Sequence, residues 1–160
     1  MSRIPDALTI TPAEYASPAA TRLVAHFYQE LTPLYGGTPE GTFPPLDLTQ
    51  PGSVFLIAWT GEQPVGCGAI RPLETGVAEV KRMFVEPACR NRGVARAIMA
   101  ELEARARAFG YHTLRLETGV LQPAAIRLYE VIGFHRISCY GPYADESDSL
   151  CFEKRIDANV

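Results

Sequence analysis

Apolar positions along this chain fall into two rhythms, one of period two and one of period 3.6. A short β-rich run over Ala7-Leu8-Thr9-Ile10 gives way to helical spacing from about Pro18 to Leu34, with Leu23, Phe27, Leu31 and Leu34 on one stripe. Val54 to Trp59 and Val65 to Leu73 read as strands flanking the turn Gly61-Glu62-Gln63-Pro64, an antiparallel hairpin. Ala78 to Val85 reads as a third strand, which Pro87 soon halts because proline cannot donate to a ladder. The helical rhythm returns from Gly93 to Phe109 through Ala95, Met99, Leu102, Ala106 and Phe109, widened by Val94 and Ile98. Glu101 with Arg105 and Glu103 with Arg107 form acid-before-base pairs on its outer face, and Gly110 supplies a stop.

Thr113 to Thr118 then predicts a strand, and Pro123 to Ile132 a shorter helix with Ala125, Leu128, Tyr129 and Ile132 on one stripe before Gly133. Phe134 to Tyr140 and Ser149 to Lys154 predict two closing strands around the polar loop Gly141 to Asp148. Gly36 to Gly52, rich in Gly, Pro and Thr, predicts a long loop. A strand, helix, strand unit following a hairpin implies a mixed sheet covered by helices, an α/β layered domain.

Composition narrows the function classes. Hydrophobic residues make up 47% and charged residues 21% of 160 residues, which places the chain among ordinary globular domains rather than disordered ones. The net charge of −3, with Lys and Arg spread over several segments, argues against nucleic acid as a partner. Met1-Ser2-Arg3-Ile4-Pro5-Asp6 lacks the apolar core of a signal peptide and no apolar run is long enough to span a bilayer, so no membrane partner and a cytoplasmic location are expected. Cys67, Cys89, Cys139 and Cys151 lack C-x-x-C pairing and lie far from His26, His112 and His135, so reduced thiols and no metal are expected.

The segment Arg90-Asn91-Arg92-Gly93-Val94-Ala95-Arg96 lies between a strand end and the start of the long helix, where unpaired backbone N–H groups point outward. Gly93 lets an anion approach the backbone, small Ala95 leaves room, and the arginines offer charge-assisted donors. The nucleotide loops G-x-x-x-x-G-K-[ST] and G-x-G-x-x-G are both absent.

Arg90-Asn91-Arg92-Gly93-Val94-Ala95 resembles the R/Q-x-x-G-x-G/A pyrophosphate loop of the GCN5-related N-acetyltransferases, and Gln122 to Phe134 is similar to their N-x-x-A-x-x-L-Y-x-x-x-G-F segment, with Gln122 where the family often carries Asn. The resemblance implies a single N-acetyltransferase domain over residues 1–160, with a coenzyme A-binding core of about 54–138 and a variable acceptor-side part of about 1–50. It implies a mixed, mostly antiparallel sheet of about six to seven strands with helices on both faces. The sheet would open between the strands at Ala78–Val85 and Thr113–Thr118. Acetyl-CoA, as co-substrate, would pair there with Met83, Phe84 and Val85 and meet Arg90, Asn91, Arg92, Gly93, Val94, Ala95, Arg96, Gln122, Ala125 and Tyr129.

By the same resemblance Tyr129 donates a proton to the leaving thiol, and Glu79 occupies the place of a general base in histone-type members. Strand alternation equally allows Glu79 to be an ion-pair partner of Lys81. Glu117 and Tyr143 are further polar candidates near the acceptor mouth, and Asp145, Glu146 and Asp148 could attract a cationic acceptor. The expected activity is direct acetyl transfer to an amine, with a small molecule favoured over a protein. The alternative is a non-catalytic coenzyme A-binding module or sensor. A homodimer is expected, since the last strand can pair within the domain or across a dimer.

Overall fold

Seven strands form one sheet in the order β1-β2-β3-β4-β5-β7-β6 in the computed structural model, which describes residues 8–36 and 45–157. The strands are β1 (Leu8–Pro12), β2 (Val54–Thr60), β3 (Gln63–Glu74), β4 (Val77–Val85), β5 (Thr113–Gly119), β6 (His135–Ile137) and β7 (Ser149–Arg155). Every neighbouring pair is antiparallel except β4 with β5, which are parallel because the helix between them carries the chain back along the sheet. The helices are α1 (Pro18–Tyr35), α2 (Val94–Phe109) and α3 (Pro123–Val131). Ala7 and much of the expected Gly36 to Gly52 loop lie outside the described residues.

Alternating side chains divide the core into two layers. On one face α1 lays Ala20, Leu23 and Val24 against Phe55, Ile57, Cys67, Ala69 and Phe84. On the other, Val94, Ile98, Met99 and Leu102 of α2 and Tyr129 of α3 pack with Leu56, Ile70, Leu114, Leu116 and Phe152. Ser17 caps α1 through Ala20 N, with Pro18 at a position where a missing N–H costs nothing. Two expected stripe members miss the core: Leu34 is 43% and Phe109 is 46% exposed, each in the last turn of its helix.

A bulge between β3 and β4 shapes the site. Cys67 pairs with Phe84 but Ala69 with Lys81, so Gly68 faces two residues, Arg82 and Met83. Arg82 adopts φ 59° there, a left-handed conformation costly for a side chain with a Cβ. Gly68 is required opposite it, because a Cβ would meet Met83 Sδ at 2.4 Å and Ile98 Cγ2 at 2.9 Å. β4 and β5 pair only at Val77 with Thr113, Ala78 with Leu114 and Glu79 with Arg115, and have parted before the chain reaches the bulge.

Two pairings differ from expectation. Glu101 does pair with Arg105 at 3.0 Å, but Glu103 takes Lys154 Nζ at 2.8 Å, and Arg107 instead donates to the Ile156 carbonyl. Cys139 and Cys151 are joined in a disulfide, which corrects the expectation of four reduced thiols; Cys67 and Cys89 are free. Register explains the pairing: Ile137 stands opposite Cys151, and Cys139 follows two residues on, towards the same face. β6 is only three residues long because the chain then leaves the sheet to cross its face as the Tyr140 to Asp148 loop.

Candidate active site

Where β4 and β5 part, a channel opens through the sheet with a cavity at each mouth, of about 550 and 560 Å³. Phe27, Leu31, Met83, Gln122, Ala125 and Tyr129 line both. The first cavity runs along Met83, Phe84 and Val85 to the start of α2, and the second opens on the α1 face towards Lys81, Glu117 and Tyr143.

The start of α2 is built to receive an anion. Asn91 at φ 62° and Gly93 at φ 84° turn the chain so that successive N–H groups face outward, and no side chain caps the helix. Asn91, Gly93, Val94, Ala95 and Arg96 line the first cavity. Arg90 lines it too, yet its guanidinium is already engaged: Nε donates to the Val85 carbonyl at 2.9 Å, Nη2 pairs with Glu30, and the group lies over the Phe84 ring. Its work is to tie the end of β4 to α1. Arg92 is not on the cavity wall.

Tyr129 is buried between Phe134 and Phe152, with ring centroids 5.8 and 6.3 Å away, and its hydroxyl makes no hydrogen bond to another described residue. Burial, then the charge of Glu117, pushes its pKa up, so the phenol stays protonated and has a hydrogen to donate. Gln122 stands at the N-cap of α3, where its carbonyl accepts from Ile126 N at 3.1 Å but its side chain makes no capping bond, and it lines both cavities.

Glu79 stands elsewhere. It is 3% exposed and lines neither cavity; Oε1 takes Arg71 Nη1 at 3.1 Å and lies 3.9 Å from Lys81 Nζ, while Oε2 takes the Tyr140 hydroxyl at 2.8 Å. The geometry therefore favours the ion-pair alternative over the base role. The half-buried carboxylate on the wall of the second cavity is Glu117, whose Oε2 accepts from Ser149 Oγ at 2.6 Å. Burial pushes its pKa above the ordinary carboxyl range, partly offset by the Ser149 bond and by Lys81.

The Tyr140 to Asp148 loop walls the second cavity. Tyr143 is half-buried, accepts a hydrogen bond from Lys81 Nζ at 2.5 Å and meets the Tyr140 ring edge to face. Glu146 and Asp148 line the mouth from exposed positions, whereas Asp145 does not line it. On the same wall Arg82 donates Nε to Tyr15 and stacks over Tyr28. Tyr140 and Arg82 were not singled out by sequence, since their partners lie 61 and 67 residues away and no local pattern marks them.

Residues 21–134 match the model of the acetyltransferase (GNAT) family. The chain is 36% identical over 150 residues to the IAA acetyltransferase of Azospirillum brasilense, covering 93% of this chain and 98% of that one. It superposes on a candidate acyl-CoA N-acyltransferase from Klebsiella pneumoniae with a TM-score of 0.77 at 32% identity, over 94% and 98% of the two chains. A GNAT family acetyltransferase from Elizabethkingia anophelis, solved with acetyl-CoA bound, shares the fold at TM-score 0.70 and 19% identity, over 94% and 99%. The chain belongs to the GNAT family and is an N-acetyltransferase.

Proposed function

We propose that this chain transfers an acetyl group from acetyl-CoA directly to the amine of a small molecule, through the opening between β4 and β5. The observation that carries the reading is the Tyr129 hydroxyl, which makes no hydrogen bond to another described residue and lines both cavities.

Acetyl-CoA, when bound, supplies the acetyl thioester at the end of an extended amide-bearing arm. Met83, Phe84 and Val85 would hold that arm, because among the described residues the edge of β4 that faces β5 has no strand partner beyond Glu79. The backbone of Asn91, Gly93, Val94 and Ala95, with Arg96, would hold the pyrophosphate. Gln122 and Ala125 would flank the thioester, with Tyr129 nearest its sulfur.

An amine with a pKa near 10.4 needs about 4.6 kcal/mol to lose its proton at pH 7, so the site must supply a proton acceptor. Glu117 fills that role: its raised pKa brings it closer to the amine, and the second cavity leaves it open to the acceptor. In the balanced transfer the carbon–nitrogen bond forms as the carbon–sulfur bond breaks. Glu117 takes one proton from the ammonium so that the freed amine can attack. The second proton leaves nitrogen through the Tyr129 hydroxyl, which gives its own proton to the departing sulfur and regains one from nitrogen, while a β4 backbone N–H between Met83 and Val85 steadies the oxyanion. A small acceptor fits a second cavity of about 560 Å³ roofed by the Tyr140 to Asp148 loop, and the Azospirillum relative is named for a small molecule.

Isothermal titration with acetyl-CoA and coenzyme A, followed by thiol release against a panel of amines, tests this. Micromolar binding with amine-dependent release is expected. Binding without release by any amine would replace the enzyme reading for this cavity with that of a sensor.

A further inference from the structure

The second cavity contains a cation that its own protein leaves under-compensated. Lys81 is 14% exposed at its side chain, and its nearest polar contact is the neutral Tyr143 hydroxyl at 2.5 Å. Among the described residues the one carboxylate within ion-pair range is Glu79, 3.9 Å away, whose charge is shared with Arg71 at a closer 3.1 Å and whose other oxygen takes Tyr140. A single carboxylate thus serves two cations, and the more distant of them is the more buried. Glu117, on the opposite wall, forms no ion pair with Lys81 and bonds Ser149 instead. Glu146 and Asp148 lie at the exposed rim, where water screens them.

The donor geometry points inward. Tyr143 accepts from Lys81, so its own proton remains free to donate, and Lys81 has two further N–H bonds to give. An ammonium beside a phenol O–H is a donor pair suited to a carboxylate. Across the cavity Glu117 offers the complementary acceptor for an ammonium.

Building on the direct-transfer reading, we propose that the acceptor is an amine that also carries a carboxylate, an amino acid or a close relative, lying across the cavity with its carboxylate on Lys81 and Tyr143 and its amine on Glu117. The bound carboxylate supplies the counter-charge that Lys81 lacks. Burial lowers the pKa of Lys81, and an anion beside it opposes that effect, so acceptor binding and Lys81 protonation reinforce one another.

The test is thiol release from acetyl-CoA with L-amino acids paired against their own α-carboxamides, which keep the amine and side chain but lose the carboxylate. The wild-type enzyme is expected to favour the acids in kcat/KM by roughly 10- to 100-fold, the scale of one charge-assisted contact. Lys81→Met should bring the preference to within about 3-fold, chiefly through KM, while still binding acetyl-CoA; Tyr143→Phe should narrow it in the same direction. Equal use of acids and carboxamides by the wild type overturns the proposal while leaving the small-amine reading intact, and needs no variant to fold. A full preference surviving in Lys81→Met overturns the placement of the carboxylate. Turnover of neither series nor of simple amines overturns the small-amine reading, and the proposal with it.

Discussion

Tyr140 donates its hydroxyl to Glu79 Oε2 at 2.8 Å, joining the loop after β6 to the middle of β4 across 61 positions of sequence. With Arg71 on the other oxygen, the carboxylate is saturated by the protein that surrounds it. Glu79→Gln should therefore act on stability more than on chemistry. Removing the charge leaves Arg71 and buried Lys81 without their anion, at about 2–3 kcal/mol once the partial exposure of Arg71 is allowed for. A melting temperature lower by roughly 5–10 °C, with kcat of the folded enzyme within about 10-fold of wild type, is the expected result. A stable Glu79→Gln protein whose kcat has collapsed would return the base role to this residue.

Glu117→Gln should do the reverse. Loss of the proton acceptor is expected to lower kcat/KM by roughly 10²-fold or more. A buried carboxyl with a raised native pKa binds its proton more tightly folded than unfolded, so its contribution favours the fold in acid and is lost as pH rises through the raised value. The neutral amide removes that cost, so the variant should melt higher than wild type near pH 7. The acidic limb of the wild-type kcat/KM profile should fall above the ordinary carboxyl range and vanish in Glu117→Gln. A limb that persists unchanged assigns it to another group.

Tyr129→Phe keeps the ring between Phe134 and Phe152 and removes only the hydroxyl that lacks a described partner. Stability and acetyl-CoA affinity should change little, while kcat falls roughly 10²-fold. Unchanged turnover would make Tyr129 a core residue and nothing more.

The thiols should titrate in three steps. Native protein should expose Cys89, since Cys67 is buried with its thiol pushed up to about 12. Unfolding without reductant should add Cys67, and reduction should add Cys139 and Cys151. Closing a loop of this length stabilises by at most about 3 kcal/mol, so reduction should lower the melting temperature measurably. Four accessible thiols before reduction would remove the disulfide.

Much of the frame was legible because it is locally encoded. Gly93 before the α2 stripe and the Gln122 to Phe134 segment each place a turn, a helix and a cavity-facing residue within a few positions. The opening beyond Glu79 is expected only through the family resemblance that those two segments carry, and no period of the strands marks it. Longer-range chemistry was not legible. Arg90 looks like a phosphate ligand until Glu30, 60 residues away, is found on its guanidinium. Glu79 carries the base position by resemblance and Glu117 only a place near the acceptor mouth, and their partners, Arg71 and Tyr140 against Ser149 and an open cavity, lie too far along the chain for sequence to weigh them. Tyr143 is among the candidates for the acceptor mouth, but its bond from Lys81 and the Cys139 to Cys151 link depend on how the last loop folds back across the sheet, which no period or motif records.

Direct transfer is tested most sharply by rapid mixing of enzyme with acetyl-CoA in the absence of any amine, with thiol release followed against enzyme concentration and the protein mass recorded. Cys89 lines the first cavity and is the thiol available to form an acyl-enzyme. No burst and no added mass, with release appearing only when an amine is supplied, is the predicted result. One equivalent of thiol released without an amine, with an acetyl group found on Cys89 or any other side chain, would contradict direct attack by the acceptor.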